Sequence, residues 1–173
     1  MKEIHISEIS QSTDKKAFIE GLLSADIFDV CFHYESDFQN TQLLREIVDI
    51  ISEVLGLDNK WRRRIVLIVD ELNNNAIEYG SHPWDINKMR FFFSGHKKTS
   101  LKIEVEDNGN GKKPQNADSM KALQQTKVSE WFDNHDSIRG RWLFMIIFNL
   151  VDSLYFKDSE TGGLIVGVEK DFS

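Results

Sequence analysis

The chain is 173 residues long, 40% hydrophobic and 28% charged, with two prolines and one cysteine. That profile predicts one globular domain with a sizeable core and excludes a disordered or disulfide-framed chain. With 21 basic against 28 acidic residues and a net charge of -7, it is ill suited to nonspecific contact with nucleic acid. The lone Cys31 fits a reducing cytoplasm. Met1-Lys2-Glu3-Ile4-His5 opens into polar sequence, unlike a signal peptide. The longest apolar run, Trp142 to Phe148, is too short to cross a bilayer. No CxxC or clustered histidines with metal-ligand spacing appear, and His5, His33, His82, His96 and His135 read as surface or capping residues.

In chain order, residues 14–24 predict a short amphipathic helix whose exposed apolar surface could support a homodimer. Phe28 to Tyr34 alternates as a strand, with Phe28, Val30, Phe32 and Tyr34 on one face. From Phe38 to Leu57 the apolar residues recur at three and four, giving an amphipathic helix closed near Gly56. Asp58 or Asn59 can cap the next helix, whose buried stripe reads Trp61, Ile65, Ile68, Leu72, Ala76, Tyr79 and stops at Gly80. Ser81 to Asn87 is a turn containing Pro83. Met89 to Ser94 and Ser100 to Glu106 predict a hairpin through His96-Lys97-Lys98. Residues 112–138 lack strong periodicity and read as a mobile functional loop or disordered insert. Gly140 to Val151 returns to an apolar helix, and Leu154-Tyr155-Phe156 with Leu164 to Val168 closes the chain as a hairpin across Glu160-Thr161-Gly162-Gly163. There is no internal repeat and no linker marking a second domain.

Three short motifs stand out against this pattern. The first is Glu71-Leu72-Asn73-Asn74-Asn75-Ala76, set in a helix interior where each asparagine is several tenths of a kcal/mol worse than alanine. Glu71 and Asn75, four apart, share one helix face. A carboxylate there can take a proton or orient water, and an amide oxygen is a neutral hard ligand suited to Mg²⁺. A solvated helix face explains the same pair taken alone.

The second motif is Glu106-Asp107-Asn108-Gly109-Asn110-Gly111, at the end of a strand. Leu101, Ile103 and Val105 share a face that Asp107 continues, so its carboxylate needs a partner, such as the amino group of an adenine. Gly109 and Gly111 allow close backbone approach to a ligand. The competing reading is a tight Asn-Gly hairpin turn, although Lys112-Lys113-Pro114-Gln115-Asn116 does not read as a returning strand. The third motif is Ser137-Ile138-Arg139-Gly140-Arg141-Trp142, a glycine flanked by arginines directly before a helix. Free helix-start amides and guanidinium groups suit phosphate, while a glycine loop entering a core helix is also ordinary.

Taken in order, Glu-x-x-x-Asn on a helix, Asp-x-Gly-x-Gly, a long polar segment and a glycine motif opening a helix resemble the Bergerat-type (GHKL) ATPase superfamily. That group includes gyrase and the histidine kinases. Ile68 to Gly80, Leu150-Val151-Asp152-Ser153-Leu154 and Thr161-Gly162-Gly163-Leu164 resemble its anti-sigma-factor serine/threonine kinase branch. The resemblance covers roughly residues 28–172, so residues 1–27 stand as an N-terminal extension with a short helix. It implies an α/β two-layer sandwich, a mostly antiparallel mixed sheet covered on one face by helices. It further implies Glu71 as catalytic base or water-orienting residue, Asn75 as Mg²⁺ ligand and Asp107 as receiver of the adenine amino group, with Gly109 and Gly111 at the pocket floor. Residues 112–138 become an ATP lid, and Arg139, Gly140 and Arg141 meet the phosphates.

The implied protein is a cytoplasmic regulator that binds Mg-ATP, phosphorylates a small antagonist protein on serine or threonine, and sequesters a sigma factor. It would make no direct contact with nucleic acid or membrane. The family usually has glycine where this chain has Trp142, so a nucleotide-binding module without catalysis stands as an alternative; a detached histidine-kinase catalytic domain is a second.

Overall fold

The computed structural model describes residues 1–24, 26–95, 99–130, 147 and 149–172, with residues 126–130 as backbone. The strands are β1 (Lys2–His5), β2 (Ile27–Glu35), β3 (Ile86–Ser94), β4 (Ser100–Glu106), β5 (Ser153–Asp158) and β6 (Leu164–Asp171). The helices are α1 (Ile6–Ser10), α2 (Lys15–Glu20), α3 (Gln39–Val54), α4 (Asn59–Asn75), which runs on into a π-helical turn at Ala76–Gly80, and α5 (Ala117–Glu130). The strands form one sheet in the order β1-β2-β3-β4-β6-β5. β1 is parallel to β2 and every other pairing is antiparallel. This is the expected α/β fold with a mixed sheet and helices.

Strand alternation decides which face is covered. Phe28, Val30, Phe32 and Tyr34 of β2, Met89, Phe91 and Phe93 of β3, and Leu101, Ile103 and Val105 of β4 are all buried in one core. Register stacks them in rows: Val30 is opposite Phe91, which is opposite Ile103. Leu44, Ile47, Val48 and Ile51 of α3 and Ile65, Ile68, Val69 and Leu72 of α4 close over those rows. The opposite face carries charge instead. Arg90 grips Asp29 with Nε and Nη2 at 3.0 and 3.2 Å, and Tyr155 donates to Glu104 at 2.7 Å.

Local signals set the helix ends. The Asp58 carboxylate accepts the Trp61 amide at 2.8 Å and caps α4. Gly56, at φ +71°, ends the preceding helix region as expected. The buried stripe of α4 holds at Ile65, Ile68, Leu72 and Ala76, but its ends differ from expectation: Trp61 is half-buried and Tyr79 is exposed. Trp61 instead meets Phe172 edge-on at 5.0 Å.

Two segments depart from the sequence reading. Residues 117–130 are helical although their apolar pattern is weak. The helix packs one small cluster, with Ala117 and Met120 against Phe156 and Leu164, so it needs no full stripe. Its start is fixed by Asn116, whose Oδ1 accepts the Ser119 amide at 2.8 Å, and by Asp158, which accepts the Ala117 amide at 2.7 Å. At the N-terminus, Lys2–His5 is a strand that widens the main sheet. The apolar side of residues 14–24 turns inward: Ile19 is fully buried, and Phe18, Leu22 and Leu23 pack on the core. Of that segment's apolar residues only Ile19 is fully enclosed; Phe18, Leu22 and Leu23 are half-buried. The expected hairpin turn at His96-Lys97-Lys98 lies outside the described residues, as do Arg139, Gly140, Arg141 and Trp142.

One buried hydrogen bond ties the helical layer to the sheet. The Tyr34 hydroxyl, fully buried on β2, donates to Asn73 Oδ1 on α4 at 2.5 Å. Asn73 Nδ2 in turn donates to the Val69 carbonyl at 2.7 Å. Tyr34→Phe leaves a buried amide oxygen without its donor, which costs about 1–3 kcal/mol. Denaturant unfolding should show that loss, with an unchanged slope; a variant as stable as the parent would mean the bond is not formed.

Candidate functional site

A cavity of about 350 Å³ opens where the end of α4, the end of β4 and the start of α5 converge. Glu71, Asn75, Tyr79, Gly80 and Asp107 line one side. Met120, Leu123, Ile147, Leu154, Leu164 and Val166 supply an apolar wall. The cavity thus combines an apolar wall with a few polar groups, the usual make-up of a small-ligand site.

Asp107 is placed by strand parity. It follows Leu101, Ile103 and Val105 on the covered face and is only 9% exposed. Its Oδ1 accepts the Gly109 amide at 2.9 Å and the Leu164 amide at 3.0 Å, while its own amide donates to the Leu164 carbonyl at 3.1 Å. Oδ2 takes no hydrogen bond among the described residues, leaving it available to a ligand N–H beside the cavity. Burial, the largest influence, pushes the carboxyl pKa above the ordinary aspartate range, against the two amide hydrogen bonds.

This packing leaves no room for side chains around the carboxylate. A Cβ on Gly163 would collide with the Asp107 carbonyl, and one on Gly80 would collide with the Asp107 carboxylate. Gly111 lies against the backbone of Tyr79 and Ser81, and Gly109 sits at φ +69° against Gly162. The 109–113 strand of chain is stitched to the π-helical turn: Gly111 N–H donates to the Gly80 carbonyl and Lys113 N–H to the Tyr79 carbonyl, each at 3.2 Å. Asn108 faces away from the cavity. Its Nδ2 donates to the Ile86 carbonyl at 3.0 Å and lies 3.2 Å from both Ser81 Oγ and Asn87 Oδ1.

On α4, Asn75 Nδ2 donates to Glu71 Oε1 at 3.2 Å, the i to i+4 pairing that the spacing implies. That bond leaves the Asn75 amide oxygen for a cation. Burial first, then the negative charges of Asp70 and Glu78, raise the Glu71 pKa against the Asn75 hydrogen bond. A half-buried carboxylate of raised pKa is chemically suited to accepting a proton.

Of the expected site residues, Glu71, Asn75 and Asp107 line the one cavity, and Gly109 and Gly111 shape the loop behind it. Arg139, Gly140 and Arg141 fall outside the described residues. The sequence reading missed Gly80 and Gly163 as close-approach positions, along with the wall from Leu154, Leu164 and Val166. The alternation Leu164-x-Val166 was the available signal for the wall.

The chain matches the family model of the histidine kinase-like ATPase domain over residues 36–169, and it belongs to that family. It is thereby an ATP-binding domain of the kinase/ATPase type. No curated protein matches it. Among the described residues, no helix is long and apolar enough to cross a membrane.

The raised Asp107 pKa fixes the sign of a pH effect. A carboxyl whose pKa rises on folding stabilises the native state while both states are protonated, and that contribution is lost as pH rises through the native value. Near neutral pH the buried Asp107 carboxyl therefore weighs against the fold. Asp107→Asn keeps an acceptor for Gly109 and Leu164, so it should melt higher than the parent at neutral pH. The margin should vanish as pH falls below the ordinary aspartate range. A margin independent of pH would rule out the charge as its cause.

Proposed function

We propose that this protein is an ATP-dependent serine/threonine kinase acting on an antagonist protein, and that it also holds a sigma factor in an anti-sigma switch. The observation that carries the nucleotide part is the Oδ2 of a buried Asp107, without a hydrogen bond among the described residues, beside an apolar wall. In this reading Oδ2 accepts the adenine amino hydrogen, and the Leu154, Leu164 and Val166 wall covers the ring. Asn75 offers its amide oxygen to Mg²⁺ carried in with the phosphates. A single protein ligand suits magnesium, which keeps most of its shell as water and phosphate oxygen.

Residues 28–173 form the nucleotide domain, with residues 112–138 as its lid. Arg139, Gly140 and Arg141 meet the phosphates by family resemblance. Glu71 orients the acceptor hydroxyl and takes its proton as that oxygen bonds to the terminal phosphorus. The bond to the bridging oxygen breaks, and ADP leaves. The raised Glu71 pKa supports that role. The single cysteine, Cys31, supports a reducing, cytoplasmic setting.

Mg-ATP at a hundredfold excess over Kd should stabilise the fold by about 2.7 kcal/mol, about 5–10 °C for a domain of this size. Asp107→Asn should remove most of that shift, and GTP should not reproduce it. Glu71→Ala should keep the shift but lose about 10²–10⁴-fold in phosphate transfer to the antagonist. A flat melting temperature across millimolar Mg-ATP would sink the nucleotide reading. Intact binding with no transfer by the parent would favour the non-catalytic module.

A further inference from the structure

A second pocket, of about 310 Å³, lies on the other side of the π-helical turn from the nucleotide cavity. Ile77 and Glu78 face this pocket, whereas Ala76 and Tyr79 face the other. Its apolar lining is Phe38, Ile77, Pro83 and Trp84. Two of these are exposed to an extent that folding does not account for: Phe38 at 54% and Trp84 at 73%.

The backbone holds Trp84 in place at a conformational cost. Asp85 N–H donates to the His82 carbonyl at 3.2 Å, closing the turn His82-Pro83-Trp84-Asp85. With proline second and φ +72° at the third position, this has the pattern of a type II turn, where glycine is favoured. An L-residue with a large side chain is strained there. The turn is also anchored: Asp85 Oδ2 accepts the His82 amide at 2.9 Å, and the Ser36 amide donates to the Asp85 carbonyl at 2.7 Å. A strained, anchored residue that buries little of its side chain points to function rather than to stability.

Two further observations specify the occupant. Ser36 lines the same pocket, and its hydroxyl is buried with no hydrogen-bond partner among the described residues. A buried hydroxyl without a partner calls for an explanation, and a docked polar group supplies one. The charged residues of the lining are Asp37, Glu78 and Lys112, two carboxylates to one ammonium, on a chain of net charge -7.

We propose that this pocket docks a segment of a second protein presenting an apolar side chain flanked by basic residues. The apolar chain enters between Phe38 and Trp84, Ser36 meets a polar group of its backbone, and Asp37 and Glu78 attract the flanking cations. Indole and phenyl groups are the usual anchors of such contacts. The site stands on its own geometry, whether or not the neighbouring cavity takes ATP.

The test is a calorimetric titration of the parent protein and of Trp84→Gly with peptide. The probe is the peptide Lys-Arg-Ala-Leu-Ala-Arg-Lys, with Glu-Asp-Ala-Leu-Ala-Asp-Glu as its charge-reversed control. Saturable binding of the basic peptide is expected, weakened about tenfold or more by Trp84→Gly and in the control. Trp84→Gly suits the turn and should keep the parent's fold and its Mg-ATP melting shift, which separates a failure here from a failure of the nucleotide reading. Binding unchanged by Trp84→Gly, equal binding of both peptides, or no binding at millimolar peptide would overturn the proposal. A dimer that sediments as such and dissolves in Trp84→Gly would overturn it too, by making a second copy the occupant.

Discussion

Burying the Asp107 carboxylate is the constraint around which the site is built. Strand parity sends Asp107 inward, and an inward charge without partners is costly. Two backbone amides, from Gly109 and Leu164, satisfy one of its oxygens. Gly163, next to the Leu164 amide, lies against the Asp107 backbone, and Gly80 lies against its carboxylate; a Cβ at either would collide. One carboxylate thus dictates the residue type at positions far apart in sequence. The fold is left with a carboxylate that burial disfavours in its charged form, and one oxygen without a hydrogen bond among the described residues.

The three consecutive asparagines of α4 show how one helix serves both core and site. Successive residues on an α-helix turn by about a quarter of a circle or slightly more. Asn73 therefore points into the core and bonds Tyr34 and Val69, while Asn75 points to the cavity and bonds Glu71. The helix then loosens into the π-helical turn Ala76–Gly80, whose residues divide between two pockets. Turns of this kind gather at functional positions because they redirect side chains without ending the helix. Here the turn carries Tyr79 and Gly80 to one cavity and Ile77 and Glu78 to the other.

Much of this was legible in the sequence. The alternation of Phe28 to Tyr34 and of Leu101 to Val105 fixed their inward faces, and continuing it by one step placed Asp107. The i to i+4 spacing brought Glu71 and Asn75 together. What escaped was of two kinds. β1 has four residues, one of them buried, too few for a periodic signal. α5 packs through one small cluster, so a helical stripe was never required of it. The close approaches of Gly80 and Gly163 escaped for a different reason. Each depends on a strand or loop remote in sequence, and a glycine at the end of a helix or in a hairpin has a local explanation already. The same holds for Trp84, whose turn signal came from Pro83 alone while its backbone conformation came from the turn's anchors.

The account stands or falls on what Oδ2 of Asp107 reads. Calorimetric titration with ATP and with inosine triphosphate tests it most directly, since the second replaces the exocyclic amino group with a carbonyl oxygen. The account predicts that inosine triphosphate binds at least about tenfold more weakly, ~1.4 kcal/mol, and that the gap closes in Asp107→Asn. Equal affinity of the parent protein for the two nucleotides would contradict it.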